Sequence, residues 1–151
     1  MKTLILCLVI GEFVFYSCRD RVNTYENDMG IEPAVLAQMD SVNYTTIAWE
    51  DSVDNFGTVK EGDSVIVSFK FTNSGDKALF VSSAHSTCGC ATVNYPKAAI
   101  LPGKQGEVIA RFQNKYKPGP VRQNVVVTTN TLNRTTHSLS FIGQVAEGAG
   151  H

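Results

Sequence analysis

The sequence predicts an all-β fold. Three observations carry that expectation. From about Thr46 onward, apolar and polar residues alternate with a period of two. Clusters of Gly, Pro, Asn and Asp interrupt the alternation at intervals of roughly 10–15 residues. Amphipathic stretches of helical period and useful length do not occur there. About seven such runs fit into about 100 residues, which is the pattern of an immunoglobulin-like antiparallel β-sandwich.

The first 17 residues do not belong to that pattern. Met1-Lys2 supplies a short positive start. Leu4 to Ile10 is apolar, Gly11-Glu12 interrupts, and Phe13 to Tyr16 resumes the run. Ser17-Cys18 follows, and the chain turns polar at Arg19. Charge, apolar core, small residue and polar continuation make residues 1–17 a secretory signal peptide. A membrane span is the weaker reading. The run is short, and Glu12 would lie in hydrocarbon at a cost of about 2.5–3.5 kcal/mol. Cys18 sharpens the expectation. A small residue followed by Cys after an apolar run resembles the lipobox of bacterial lipoproteins, which makes Cys18 the lipidated first residue of the mature chain. Several acyl chains there would anchor the protein to a membrane, at about 0.8 kcal/mol per buried CH₂.

Residues 18–45 read as a lipid-anchored tether. They are polar and carry scattered acids. A flexible chain from residue 19 to residue 45 would span roughly 30 Å. Within it, Pro33 to Met39 suits one or two helical turns, with Pro at the first position.

Four strands are legible individually. Ser64–Phe71 puts Val65, Val67, Phe69 and Phe71 on one face. Gly106–Gln113 does the same with Val108, Ala110 and Phe112. Val121–Thr129 is rich in Val and Thr. Thr136–Val145 places Leu139, Phe141 and Val145 together, with His137 on the same parity. Lys60-Glu61-Gly62-Asp63, Leu101-Pro102-Gly103-Lys104 and Lys117-Pro118-Gly119-Pro120 read as turns. Asn73-Ser74-Gly75-Asp76 reads as a tight turn joining two strands. Residues 146–151 read as a flexible tail.

Composition excludes some functions. The chain is 43% hydrophobic and 18% charged with net charge −1. That is globular, and it lacks the basic excess of a general nucleic-acid binder. Charge is unevenly distributed. Residues 18–63 hold ten acidic and three basic side chains, and residues 64–151 hold three acidic and nine basic ones. The economical reading is that the two halves fold against each other. A basic surface formed by Arg111, Lys115, Lys117 and Arg122 is the sharper alternative.

In order, Phe56-Gly57-Thr58-Val59, Gly62-Asp63, Phe69-Lys70-Phe71-Thr72-Asn73-Ser74-Gly75, Thr87-Cys88-Gly89-Cys90, Pro102-Gly103 and Lys117-Pro118-Gly119-Pro120 resemble a bacterial family, DUF1573. The resemblance covers roughly residues 46–145. It implies an immunoglobulin-like domain, related in shape to those of cilia-associated and pilus-chaperone proteins. It also implies an exported protein or lipoprotein of Bacteroidetes. No established activity comes with it.

Cys88-Gly89-Cys90 is the most informative cluster. In an extended strand its two cysteines would lie about 6.6–6.8 Å apart. A disulfide wants Cα atoms about 4.4–6.8 Å apart, so bridging needs a bend, which Gly89 permits. Three readings follow: a structural bridge, a redox-active dithiol, or a metal site. The metal reading adds His85 to Cys88 and Cys90, a ligand set for copper or zinc. His137 would join only if its strand came near.

Other candidates are weaker. The large aromatics Trp49, Phe56, Phe69, Phe71, Phe80, Phe112 and Phe141 read as core, and Tyr44, Tyr95 and Tyr116 as turn tyrosines. Hydrolase and phosphate-loop motifs are missing from the sequence. Asp40-Ser41-Val42 and Asp51-Ser52-Val53 resemble short O-glycosylation sites of exported Bacteroidetes proteins, with Ser41 and Ser52 as acceptors.

The expectation is therefore a non-enzymatic lipoprotein of the cell envelope, periplasmic or in the outer membrane. It would need no cofactor and bind an envelope protein. The alternative is a periplasmic thiol-redox or copper/zinc-binding protein using the Cys-Gly-Cys motif.

Overall fold

The computed structural model describes residues 32–113 and 118–147. Residues 1–31, which include the expected signal peptide and Cys18, and residues 114–117 and 148–151, which include Lys115, Tyr116 and Lys117, lie outside the described residues.

Eight strands form two four-stranded sheets. They are β1 (Ile47–Trp49), β2 (Val53–Lys60), β3 (Ser64–Asn73), β4 (Val81–Ser86), β5 (Ala91–Asn94), β6 (Gln105–Gln113), β7 (Gly119–Thr129) and β8 (Thr136–Ala146). The first sheet has the order β1-β3-β6-β5 and the second β2-β8-β7-β4. The protein is an immunoglobulin-like β-sandwich, with one strand more than the sequence pattern suggests. The extra count comes from β1 and β5, which are three and four residues long, too short for a periodic signal.

Alternation builds the core. Along β3 the outward residues are exposed and Val65, Val67, Phe69 and Phe71 are buried. On the neighbouring β6, Val108, Ala110 and Phe112 lie beside them on the same face, and Val125, Val127, Leu139, Phe141 and Val145 of the second sheet face them. Phe112 and Phe141 meet across the sheets with ring centroids 5.5 Å apart, and Phe56 packs 6.3 Å from Phe141. These tilted rings join the two layers.

One pairing departs from the antiparallel expectation. β2 pairs with β8 in parallel, with a register shift between Asn55 and Thr58. Gly57 adopts φ +73° there, and its N–H donates to Asn55 Oδ1 at 2.9 Å. A β-bulge at a left-handed glycine follows.

The turns at 60–63 and 101–104 form as read. Asp63 N donates to Lys60 O at 3.2 Å, and Lys104 N to Leu101 O at 3.0 Å. Asn73–Asp76 is not a hairpin turn: β3 and β4 lie in different sheets. Asn73 is fully buried, and its side chain holds this crossover. Its amide donates to Lys77 O and Ile100 O, both at 2.8 Å, and its oxygen accepts from Thr45 Oγ1 at 3.0 Å and Gly75 N at 3.2 Å. All four of its hydrogen-bonding positions are satisfied, which a buried amide requires.

The described part of the tether segment is docked. Residues Pro33–Met39 form a short helix, α1, and Ser41–Asn43 a 3₁₀ turn. Gln38 bonds Ser82 on β4, Tyr44 donates to Gln38 O, and Thr45 pairs with Thr131. Asn130, also fully buried, completes this end. Its oxygen accepts from Phe80 N at 2.7 Å, and its amide donates to Asn43 O at 2.8 Å and Ala78 O at 2.9 Å. Three separate chain segments are joined by one side chain.

Candidate functional site

The candidate site lies where β4 turns into β5. β4 ends at Ser86, β5 starts at Ala91, and the chain crosses from one sheet to the other between them. Thr87 anchors the crossing: its N–H donates to Asn124 O of β7 at 3.1 Å. Gly89 takes φ +64°, a left-handed conformation that bends the chain. Cys88 and Cys90 are thereby drawn to a Cα separation of 5.2 Å and joined by a disulfide.

The two sulfurs differ in surroundings. Cys88 is exposed, whereas Cys90 is half-buried and packs against the core. Ser86 Oγ lies 3.1 Å from Cys88 Sγ, and Cys90 N donates to the same sulfur at 3.2 Å. A disulfide sulfur carries no hydrogen, so the Ser86 hydroxyl is the donor.

His85 is not brought into this cluster. It is exposed on β4, and its register partner is Val126, which alternates with the buried Val125 and Val127. His85 therefore faces outward. His137 is paired with Val127 and faces inward. The two histidines lie on opposite faces of the second sheet. Among the described residues no group of three His, Cys, Asp or Glu side chains is placed to hold a metal ion. The bridge occupies both thiols, so the His85–Cys88–Cys90 ligand set is not assembled.

His137 belongs to a different cluster. Its ring stands 5.8 Å from that of Trp49, and its Nε2 lies 3.1 Å from Thr129 Oγ1 and 3.0 Å from Thr131 Oγ1. Thr131 Oγ1 donates onward to Arg134 O at 2.6 Å. Burial lowers the His137 pKa from the ordinary 6.5, and the Arg134 guanidinium lowers it further, so the ring is neutral at pH 7. Trp49 packs 5.0 Å from Phe71, and its indole N–H has no hydrogen-bond partner among the described residues.

The sheet edges differ in protection. β1 and β5 are short. β2 is bulged and carries Asp54 and Lys60. β4 reads Val-Ser-Ser-Ala-His-Ser, without an acid, lysine, arginine or proline. Edges normally carry such devices against unwanted pairing. Its first half is covered, since Ser82 meets Gln38 and its carbonyl accepts from Tyr95. In its second half the antiparallel pattern alternates. Thr87 bonds toward β7, so Ser86 and Ala84 direct their main-chain N–H and C=O away from β7, out of the sheet.

Residues 47–145 match the model of a family described as "Protein of unknown function (DUF1573)". The chain belongs to this family. No curated protein matches the chain in sequence. Among solved structures, a protein of unknown function from Porphyromonas gingivalis W83 superimposes with a TM-score of 0.59 at 10% identity, covering 70% of this chain and 49% of that one. The secreted serine protease VesC from Vibrio cholerae gives 0.51 at 11% identity, covering 78% and 26%. The ASH/PapD-like domain of human CEP192 gives 0.49 at 16% identity, covering 70% and 89%. The chain thus spans about half the length of the Porphyromonas protein. At these identities the likeness is one of fold alone.

Within the DUF1573 domain, several residues of the motifs have clear physical tasks. Phe56 lies over Gly143, where a Cβ would clash with the ring. Gly57 makes the bulge, Asn73 ties the crossover, and Gly89 bends the cysteine corner.

The remaining site residues fall elsewhere. Ser41 and Ser52 are both exposed, and Asp40 of the first acceptor motif caps the 3₁₀ turn, its carboxylate accepting from Val42 N at 3.0 Å. Arg111 and Arg122 are exposed on the outer faces of different sheets, so they do not share one basic surface. The halves of opposite charge interleave: β1 pairs with β3 and β2 with β8. Sequence reading missed Asn130 and Asn73 as fixing residues, because an isolated Asn reads as a turn former.

Proposed function

We propose that this DUF1573 protein is a non-enzymatic, lipid-anchored module of the cell envelope that binds a protein partner by strand addition at β4. The single observation behind the reading is the uncharged second half of that edge. Ala84 and Ser86 offer outward main-chain groups to an extended segment, which would continue the second sheet as a fifth strand. Main-chain bonds would supply affinity, and the outward His85 side chain would contact alternate residues of the partner. The export signal and Cys18 would hold the module at a membrane, acylated at Cys18. No cofactor enters this function.

The test uses a photo-crosslinking residue at position 85 in intact cells. A discrete protein adduct is expected there, and none from position 55 on the β2 edge. Ala84→Pro removes one outward N–H that the β7 ladder does not use. It should abolish the adduct while leaving the circular dichroism spectrum unchanged. Absence of any adduct at position 85, or an adduct indifferent to Ala84→Pro in folded protein, would overturn the proposal. Intact mass of the protein extracted from its own membranes tests the anchor, which requires acyl mass on Cys18.

A further inference from the structure

We infer that the Cys88–Cys90 bridge is a thiol–disulfide exchange site, with Cys88 the exchanging sulfur and Ser86 its positioning donor. Its substrate class is a protein or peptide dithiol. Four features lead there, none of which depends on strand addition at β4.

First, the bridge closes only three residues. In the chain-entropy account such a loop gains roughly half the stabilisation of a 15-residue loop, so it is a poor staple. Second, the corner is held without it. Thr87 is bonded to Asn124 on one side, and β5 is paired with β6 from Ala91 to Asn94 on the other. Third, access is one-sided. Cys88 and Gly89 are exposed, while Cys90 packs against the core, so an incoming thiolate reaches Cys88. Fourth, the Ser86 hydroxyl and the Cys90 N–H both point at Cys88 Sγ. Two donors on a sulfur stabilise its thiolate and lower its pKa.

These features order the exchange. One thiolate of the substrate attacks Cys88 Sγ. The Cys88–Cys90 bond breaks, and Cys90 leaves with the electron pair and takes up a proton. A mixed disulfide now joins the substrate to Cys88. The second substrate thiolate attacks the substrate sulfur of that mixed bond, and Cys88 leaves as a thiolate held by Ser86 and the Cys90 N–H. The substrate loses two electrons and two protons and gains one S–S bond. The protein gains the same electrons, and its bridge becomes two thiol groups. The donors therefore act where Cys88 departs, in the second step. Better leaving thiolates exchange faster.

The test incubates the full chain, folded and oxidised, with millimolar reduced glutathione, followed by alkylation and intact mass. Peptide mapping should find alkyl groups on both Cys88 and Cys90, apart from any on Cys7 and Cys18, without denaturant and without loss of β circular dichroism. In Cys90→Ser, oxidised glutathione should form an adduct that maps to Cys88, apart from any on Cys7 and Cys18. With a peptide dithiol, Ser86→Ala should slow release of oxidised peptide about tenfold, the scale of one hydrogen bond to a charged group. Ser86→Thr should restore the rate. A bridge that opens only when the protein unfolds would overturn the inference. So would a release rate in folded Ser86→Ala equal to wild type.

Discussion

Asn130, like Asn73, should be among the most consequential polar residues of the fold. Its fully buried side chain links β7 to Phe80 and Ala78 before β4 and to Asn43 in the docked N-terminal segment. Asn130→Ala removes the acceptor of one main-chain N–H and the donors of two carbonyls. Each buried group left unpaired costs about 1–3 kcal/mol. Taking the lower part of that range, because a water can enter the vacated space, the sum is about 3–5 kcal/mol. Total stability of a domain this size is about 5–15 kcal/mol. Urea titration followed by tryptophan fluorescence gives the readout, since Trp49 is partly buried beside the core. With m near 2 kcal/mol/M, the midpoint should fall by about 2 M at unchanged m. Amides of residues 33–45 should also exchange faster, because the Asn43 carbonyl loses its partner. Asn94→Ala, at an exposed position of β5, should stay within about 0.5 kcal/mol. An Asn130→Ala midpoint within about 0.5 M of wild type, equivalent to about 1 kcal/mol or less, would refute the claim that this side chain fixes the end of the sandwich.

Three further outcomes can be checked by thermal melting followed by circular dichroism. Gly143→Ala should destabilise by about 1–3 kcal/mol, since the new methyl overlaps Phe56 and that ring is wedged between Phe112 and Phe141; a neutral result would mean the ring can swing away. Trp49→Phe removes a buried indole N–H without a partner among the described residues, so regained desolvation of about 1–3 kcal/mol offsets lost packing. Its net effect should stay within about 1 kcal/mol, read by thermal melting, and a loss above about 3 kcal/mol would show that the ring's bulk dominates. His137 is held neutral by burial and by Arg134 below its ordinary 6.5, so the unfolded chain takes up the proton first as pH falls. That stability is fully present above about pH 6.5, is lost as pH falls toward the folded value, and levels below it. The melting temperature should drop between pH 7.5 and 5 in wild type and drop less in His137→Gln; equal drops would exclude His137 as the cause.

How much of this was legible in the sequence depends on the range of the interactions. Period-two burial in β3, β6, β7 and β8 is local, and each of those strands appears where the alternation places it. The turns at 60–63 and 101–104 are local too, set by glycines at φ +89° and +74°. The failures are all of long range. Asn73-Ser74-Gly75-Asp76 has the composition of a hairpin turn, yet Asn73 spends its side chain on Thr45, Lys77 and Ile100, and the chain crosses between sheets. Nothing in the string indicates that Asn43 and Asn130, 87 residues apart, meet. The parallel β2–β8 pair is equally invisible, because strand direction is a property of topology. At the candidate site, Gly89 suggested the bend. The inequality of the two sulfurs was hidden, since it depends on which cysteine faces the core and on Ser86 two residues away.

That inequality leads to a prediction about stability that separates a staple from an exchange site. A loop of three residues contributes about 1.6 kcal/mol in the chain-entropy account, from an entropy of about 5.4 cal/mol/K. Removing a native disulfide from a small secreted domain ordinarily costs about 2–5 kcal/mol. The double variant Cys88→Ser, Cys90→Ser should therefore fold and lose about 1.5 kcal/mol or less. Cys90 makes some packing against the core, and a serine there removes little volume, so the packing loss should be small. The Thr87–Asn124 bonds and the β5–β6 ladder remain in the variant. Urea melts of wild type, with and without reductant, give a second estimate from the same protein with no substitution. Agreement of both at about 1.5 kcal/mol means the bridge is nearly dispensable to the fold and free to open in the folded state. A loss above about 3 kcal/mol in both would mean that the corner is stapled, and opening it would then cost too much of the fold for exchange to occur in the native protein.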